Sequence, residues 1–296
     1  MTRQMTSPFN KTYSRLPAIW ASYPRILLWK RPPVTDVRDP PEFAASIRNV
    51  VLSGAKIAAY ARVCGFTGEA PVPVTYAHVI AMPLHLAIFA KRSFPLRPMG
   101  LIHVSNVIET LAPLTPGARV DVDVVARNYR RLDAGLAFDM ASELRTNGSV
   151  AWRENCCFMA RWPVPAASGG GRPPRPPKAP KDAQVLAESP VTLRTAWDYA
   201  RVSSDYNPIH LHDGAARKFG LRGVIMHGMW SLAYSLAQAP LPVLAPGSRL
   251  DTEFLTPVQL PAKVTVKQWS EAGRMKRALC DVRTGRVHMY AHWDAA

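Results

Sequence analysis

Two stretches decide the fold: Glu109-Thr-Leu-Ala-Pro-Leu-Thr-Pro-Gly-Ala-Arg-Val-Asp-Val122 and Glu253-Phe-Leu-Thr-Pro-Val-Gln-Leu-Pro-Ala-Lys-Val-Thr-Val266. Set side by side, they share Glu, Leu, Pro, Ala, a basic residue and two valines in register, at an offset of 144. A second match, Tyr60-Ala-Arg-Val63 with Tyr199-Ala-Arg-Val202, sits at an offset of 139, so the later copy carries about five extra residues between the blocks. Either match alone says little. Both, in the same order, indicate a duplicated domain, and a chain of 296 residues has room for two domains of about 100–150 residues each.

The same coarse pattern runs through both copies. An Ala-rich amphipathic segment (Glu42–Ala61; Thr192–Val202) leads through an irregular stretch to an apolar segment of helix length (Ala77–Ala90; Ile225–Ala239). Strands follow at Leu101–Glu109 and Ser248–Thr256. Ala118–Ala126 and Ala262–Trp269 alternate apolar with polar residues. Further strands are expected at Leu136–Leu144, Ala151–Arg161, Met275–Val282 and Arg286–Trp293. One long helix followed by a run of antiparallel strands is an α+β pattern. Between the copies, Pro163–Pro180 holds seven prolines and three glycines in 18 residues and reads as an exposed linker. The expected division is an N-terminal extension (1–41), a first domain (42–162), the linker (163–184) and a second domain (185–296).

Composition narrows the function. The chain is 48% apolar and 20% charged, an ordinary globular balance. No apolar run approaches the roughly 18 residues of a membrane span, and no secretory leader pattern opens the chain. Cys64, Cys156, Cys157 and Cys280 form no CxxC pair; they read as buried small hydrophobes, and a reducing cytoplasmic setting is expected. The net charge of +16 favours a polyanionic partner or an arginine-rich solvated surface. Because the basic residues are scattered, the charge alone does not choose between nucleic acid, an anionic membrane and a phosphate-bearing small molecule.

The chemistry concentrates in the second copy, in Asp205-Tyr-Asn207-Pro-Ile-His210-Leu-His212 and Gly223-Val-Ile-Met-His227-Gly228-Met229. An Asn-Pro turn reverses the chain, so Asp205 and His210 can converge to hold and polarise a water. Gly228, at a helix start, offers a backbone N–H with no intrahelical partner, suited to a developing oxyanion. Each residue also has a plainer reading: Asp205 as a turn cap, His210 as a core histidine. A chelate from His210, His212, Asp213 and His227 is conceivable, but no second histidine cluster completes it, and no metal is expected.

These two motifs resemble those of the MaoC-like family, the (R)-specific enoyl-CoA hydratases also called hydratase 2. The resemblance implies a hot-dog fold, an antiparallel sheet wrapped round a long helix, here as a double hot-dog. It implies a hydro-lyase adding water reversibly across the C2=C3 bond of a trans-2-enoyl-CoA. Asp205 and His210 would be the catalytic pair, Asn207 an orienting partner and Gly228 the oxyanion donor. No cofactor is implied, and the partner would be an acyl-CoA or acyl-carrier-protein thioester; a homodimer is compatible. The first copy has Phe66 where Asp205 falls, and Met82, Pro83 and His85 near where His-Gly-Met falls, so it is expected to be catalytically silent. Phe66, His227, Met229 and Trp230 are the expected substrate contacts. Dehydration of a 3-hydroxyacyl group on a carrier protein and a non-catalytic acyl-CoA-binding module are the alternatives.

Overall fold

The computed structural model describes residues 9–28, 42–67, 72–161, 178–239 and 247–294. The first half contains β1 (Phe9–Tyr13), α1 (Ile19–Leu28), β2 (Phe43–Val51), α2 (Gly54–Cys64), α3 (Tyr76–Phe89), β3 (Ile102–Thr110), β4 (Arg119–Leu132), β5 (Gly135–Thr146) and β6 (Ser149–Arg161). The second contains β7 (Gln184–Val191), α4 (Leu193–Ser203), a 3-10 turn (Pro208–His210), α5 (Asp213–Lys218), α6 (Gly228–Ala237), β8 (Ser248–Phe254), β9 (Ala262–Glu271), β10 (Arg274–Asp281) and β11 (Val287–Asp294).

All eleven strands form one sheet, in the order β1-β2-β4-β5-β6-β3-β8-β11-β10-β9-β7. Apart from β1 the order is a palindrome. The duplicated strands β3 and β8 meet antiparallel at its centre, and the pseudo-twofold axis falls on the pair Val107↔Asp251. Those residues are 144 apart, the offset of the sequence repeat, so each is the other's counterpart across the axis. This is the double hot-dog that the motifs imply.

Helix α3 is buried at 13 of its 14 positions, every one but Met82, as a helix wrapped by a sheet must be. The sheet supplies the other face: Val120, Val122, Val124 and Ala126 alternate inward along β4. In the second half α6 is shorter, and its last carbonyls are met by a buried arginine. Arg277 on β10 donates to Ser235 O and Leu236 O, both at 3.0 Å, and to Ala239 O at 3.3 Å. A cation at a helix C-terminus offsets the dipole and satisfies carbonyls that have no helical donor. Burial lowers the Arg277 pKa only to about 10, so the guanidinium stays charged.

Three expectations change. Glu42–Ala61 is not one amphipathic segment but β2 followed by α2, with Ser53 capping the helix through Lys56 N. Strand β7 was not expected; its Pro190 is tolerated because β7 is the sheet's edge. The N-terminal extension contributes β1, which pairs parallel to β2, and α1. The linker expected over 163–184 lies outside the described residues as far as 177, and its last residue begins β7. All four cysteines are free and buried. As the alternation predicts, Cys156 and Cys157 face opposite ways, towards Asn106 and Arg130 respectively.

Candidate active site

Helix α4 ends at Ser204, whose left-handed backbone (φ 65°) turns the chain sharply into Asp205. The Asp205 carboxylate accepts the Asn207 N–H on Oδ1 at 3.2 Å. Asn207 then caps the following turn, its Oδ1 accepting from Ile209 N at 3.4 Å, and Pro208 starts the 3-10 turn that carries His210. Local chain chemistry thus carries His210 back towards Asp205. Asn207 lines the cavity as well, but its side chain acts on the turn.

The loop before α6 closes the arrangement. His210 Nδ1 donates to Ile225 O at 2.7 Å, and its ring stacks on His227 with centroids 3.8 Å apart. His227 caps the N-terminus of α6 and donates from Nε2 to the Asp205 carbonyl at 3.0 Å. A carboxylate oxygen of Asp205 and one ring nitrogen from each of His210 and His227 lie within 4.8 Å of one another. One water making two hydrogen bonds of about 2.8 Å spans such a gap. Gly228, the first residue of α6, lines the same cavity, and its N–H belongs to the first turn, where a helix has no internal acceptor. A Cβ there would stand 3.2 Å from the Phe254 ring, tighter than an ordinary van der Waals contact.

Electrostatics sets the protonation states. Burial raises the Asp205 pKa, but the facing His227 and His210 and the Asn207 N–H outweigh it and hold the carboxyl below its ordinary value. Burial lowers His210, only partly offset by Asp205, and takes His227, with help from His210, down to about 3. At neutral pH the site therefore holds an ionised Asp205 and two neutral imidazoles. Since Nδ1 of His210 carries the hydrogen given to Ile225, its Nε2 carries the lone pair.

The cavity has a volume of about 560 Å³ and is walled by both halves. Opposite the motif residues stand His78, His103, Phe158 and Arg161 of the first half. His78 is bonded through Nδ1 to both Glu154 oxygens (2.9 and 3.0 Å), and Asn106 donates to the same carboxylate. Burial pulls the His78 pKa down, yet Glu154 outweighs it and leaves it raised; Glu154 is held down to about 2 despite its burial, chiefly by His78. The opposed shifts of the two groups favour the imidazolium–carboxylate form of this buried pair. No motif signals it, because its members come from α3, β3 and β6, but His78 and His85 stood in the apolar segment as polar exceptions.

Asp205, Asn207, His210, His227, Gly228 and Met229 all line the cavity; Phe66 and Trp230 do not. Phe66 is half-buried and packs at the edge of the core. Trp230 lies flat on Tyr234, centroids 4.8 Å apart, and donates to Val63 O of α2 at 3.3 Å. Position N3 of α6 turns that ring towards the first half instead of the cavity. The counterpart of His-Gly-Met also shifts. Thr75 caps α3 as His227 caps α6, so the equivalent residues are Thr75-Tyr76-Ala77 and not Met82–His85. The conceivable chelate is not assembled: His212 caps α5 through Gly214 N, and Asp213 accepts from Val224 N.

The fold and this constellation define a double hot-dog protein with a carboxylate–imidazole cluster in a cavity between its halves. Comparison with known proteins agrees. The MaoC-like domain model matches residues 175–291. The 3-hydroxyacyl-thioester dehydratase X of Mycobacterium tuberculosis is 32% identical over 255 residues, covering 85% of this chain and 89% of that protein. The crystal structure of HtdX from the same organism superposes with a TM-score of 0.72 at 28% identity, over 86% of this chain and all of that one (100%). A conserved hypothetical M. tuberculosis protein with a double hot-dog fold has a TM-score of 0.54 at 14% identity, covering 88% and 97% of the two chains. The chain belongs to the MaoC-like dehydratase family.

Proposed function

We propose that this protein is a hydro-lyase that interconverts a trans-2-enoyl thioester and the (R)-3-hydroxyacyl thioester. The observation that carries the reading is that Asp205 and His210 meet in a cavity that the first residue of α6, Gly228, also lines. In the hydration direction the pair holds a water over C3. Its oxygen bonds to C3 as a proton passes to the pair, and the C2=C3 electrons move to the thioester oxygen, held by the Gly228 N–H and the positive end of α6. The enolate then takes a proton at C2 from the pair, so that H and OH have been added and the pair is restored. Dehydration runs through the same states in reverse. His227 serves by fixing the Asp205 backbone, and the first half supplies the far wall of the cavity.

The mycobacterial relative is named for a thioester without naming its carrier, which fits CoA and a carrier protein equally. The cavity lining includes Arg161, and also Phe219, which is 37% exposed and follows the exposed Arg217 and Lys218. These basic residues suit phosphate groups or an acidic carrier surface. The test is the ultraviolet absorbance of the enoyl thioester, followed in both directions over acyl groups carried on CoA, pantetheine and a carrier protein. Reversible turnover is expected. The CoA ester should lose kcat/KM as salt rises, because exposed charges are screened over about 8–10 Å, while the pantetheine ester should respond far less. Failure to turn over any enoyl or 3-hydroxyacyl thioester overturns the reading.

A further inference from the structure

The N-terminal segment belongs to neither copy of the repeat and lies outside the residues matched by the family model, yet it reaches the centre of the site. Strand β1 extends the sheet beside β2, and α1 packs with Ser22 and Ile26 buried. This docking delivers Tyr23 to the loop that follows α4. Its hydroxyl accepts the Tyr206 N–H at 2.7 Å and points at Asp205 Oδ1 (3.3 Å), with Ser204 O at 3.5 Å as a second acceptor. The ring meets Tyr206 edge-on, with centroids 6.4 Å apart. The contact therefore spans all three residues of the bend that presents Asp205.

Its consequence follows from counting donors on the carboxylate. Oδ1 receives the Asn207 N–H and the Tyr23 hydroxyl, whereas Oδ2, 4.0 Å from His227 Nε2, accepts no hydrogen bond among the described residues. An oxygen with two donors is anchored; the other remains for chemistry. We propose that Tyr23 is a positioning residue of the active site, anchoring Asp205 Oδ1 so that Oδ2 is the oxygen that works with His210. The N-terminal segment is then a working part of the site. Burial and the Asp205 charge hold the Tyr23 phenol far above its ordinary pKa, so it stays a donor throughout the working pH range and does not itself exchange protons. The proposal rests on the hydro-lyase reading only for its kinetic half.

The experiment is Tyr23→Phe, which removes one oxygen and keeps the ring. Losing one donor to an ionised group should lower kcat roughly tenfold, with KM changed by less than about twofold. It should also raise the apparent pKa of the acid limb of kcat/KM, by about half a unit or more. The other groups facing Asp205 are His210, His227, His78, His103 and Tyr199, and all are retained. A second readout needs no turnover: the carbon-13 carboxyl titration of Asp205, assigned with Asp205→Asn, should move to higher pH in Tyr23→Phe. Trp20→Ala, on the same helix and 80% exposed, should change neither. An inactive wild-type protein would count against the hydro-lyase reading alone, and the titration would still decide the role of Tyr23. Wild-type kcat with an unmoved titration overturns the proposal. So does a loss of activity that tracks lost thermal stability while the acid limb and the titration stay in place.

Discussion

His210 shows how far single residues can be reasoned about. Its Nδ1 hydrogen is committed to Ile225 O, burial keeps the ring neutral, and the lone pair is left on Nε2 beside an ionised carboxylate. His210→Gln and Asp205→Asn should each lower kcat by at least about 10²-fold, the scale of a general acid–base group, with melting temperature little changed. Near-wild-type turnover in either variant would remove that residue from the mechanism. This pair was legible in the sequence because its geometry is local: an Asn-Pro turn over six residues. Tyr23 was not, since its partner lies 182 residues away and no pattern links them. That Phe66 and Trp230 stand outside the cavity lining was not legible for a related reason. Aligning the repeat gives a position in the chain, but which way a side chain turns depends on the packing of α2 against α6, which the alignment does not contain.

At the scale of elements, the His78–Glu154 pair joins α3 to β6 across the wall of the cavity, and its energetics makes a prediction with a sign. Glu154 is held below its ordinary 4.5, so its contribution is present above that value and lost as pH falls towards about 2. His78 is held above 6.5, so its contribution is present below 6.5 and lost as pH rises through the raised value. Removing one partner forces the other to become neutral in the core. At pH 7 neutralising a carboxylate costs about 3 kcal/mol and neutralising a histidine almost nothing; at pH 5 the costs are about 0.7 and about 2 kcal/mol. Denaturant unfolding should therefore rank His78→Leu below Glu154→Gln in stability at pH 7 and reverse the order at pH 5. The same order at both pH values would mean that the pair is not ionised. Elements were legible where a period was regular, as in β4 and β9. They were lost where alanine obscured it: Phe43-Ala-Ala-Ser-Ile has helical composition, but its burial pattern is that of a strand pairing with β4.

For the whole molecule, the repeat in the sequence predicted two copies, and the palindromic sheet realises them by pairing β3 with β8. Which strands would join was not legible, because strand order is set by contacts between halves and not by periodicity within either. That joint gives one cavity the Asp205–His210 cluster from one half and the buried His78–Glu154 pair from the other. The central claim is that this cavity adds water across a carbon–carbon double bond of an intact thioester. The most direct measurement is mass spectrometry of an enoyl thioester incubated with the protein in oxygen-18 water. One oxygen-18 is expected at C3 of a 3-hydroxyacyl product still joined to its thiol, with the label appearing far more slowly in Asp205→Asn. Oxygen-18 in a freed carboxylate would instead show hydrolysis of the thioester, and no incorporation at all would show that the site does not activate water; either result contradicts the account.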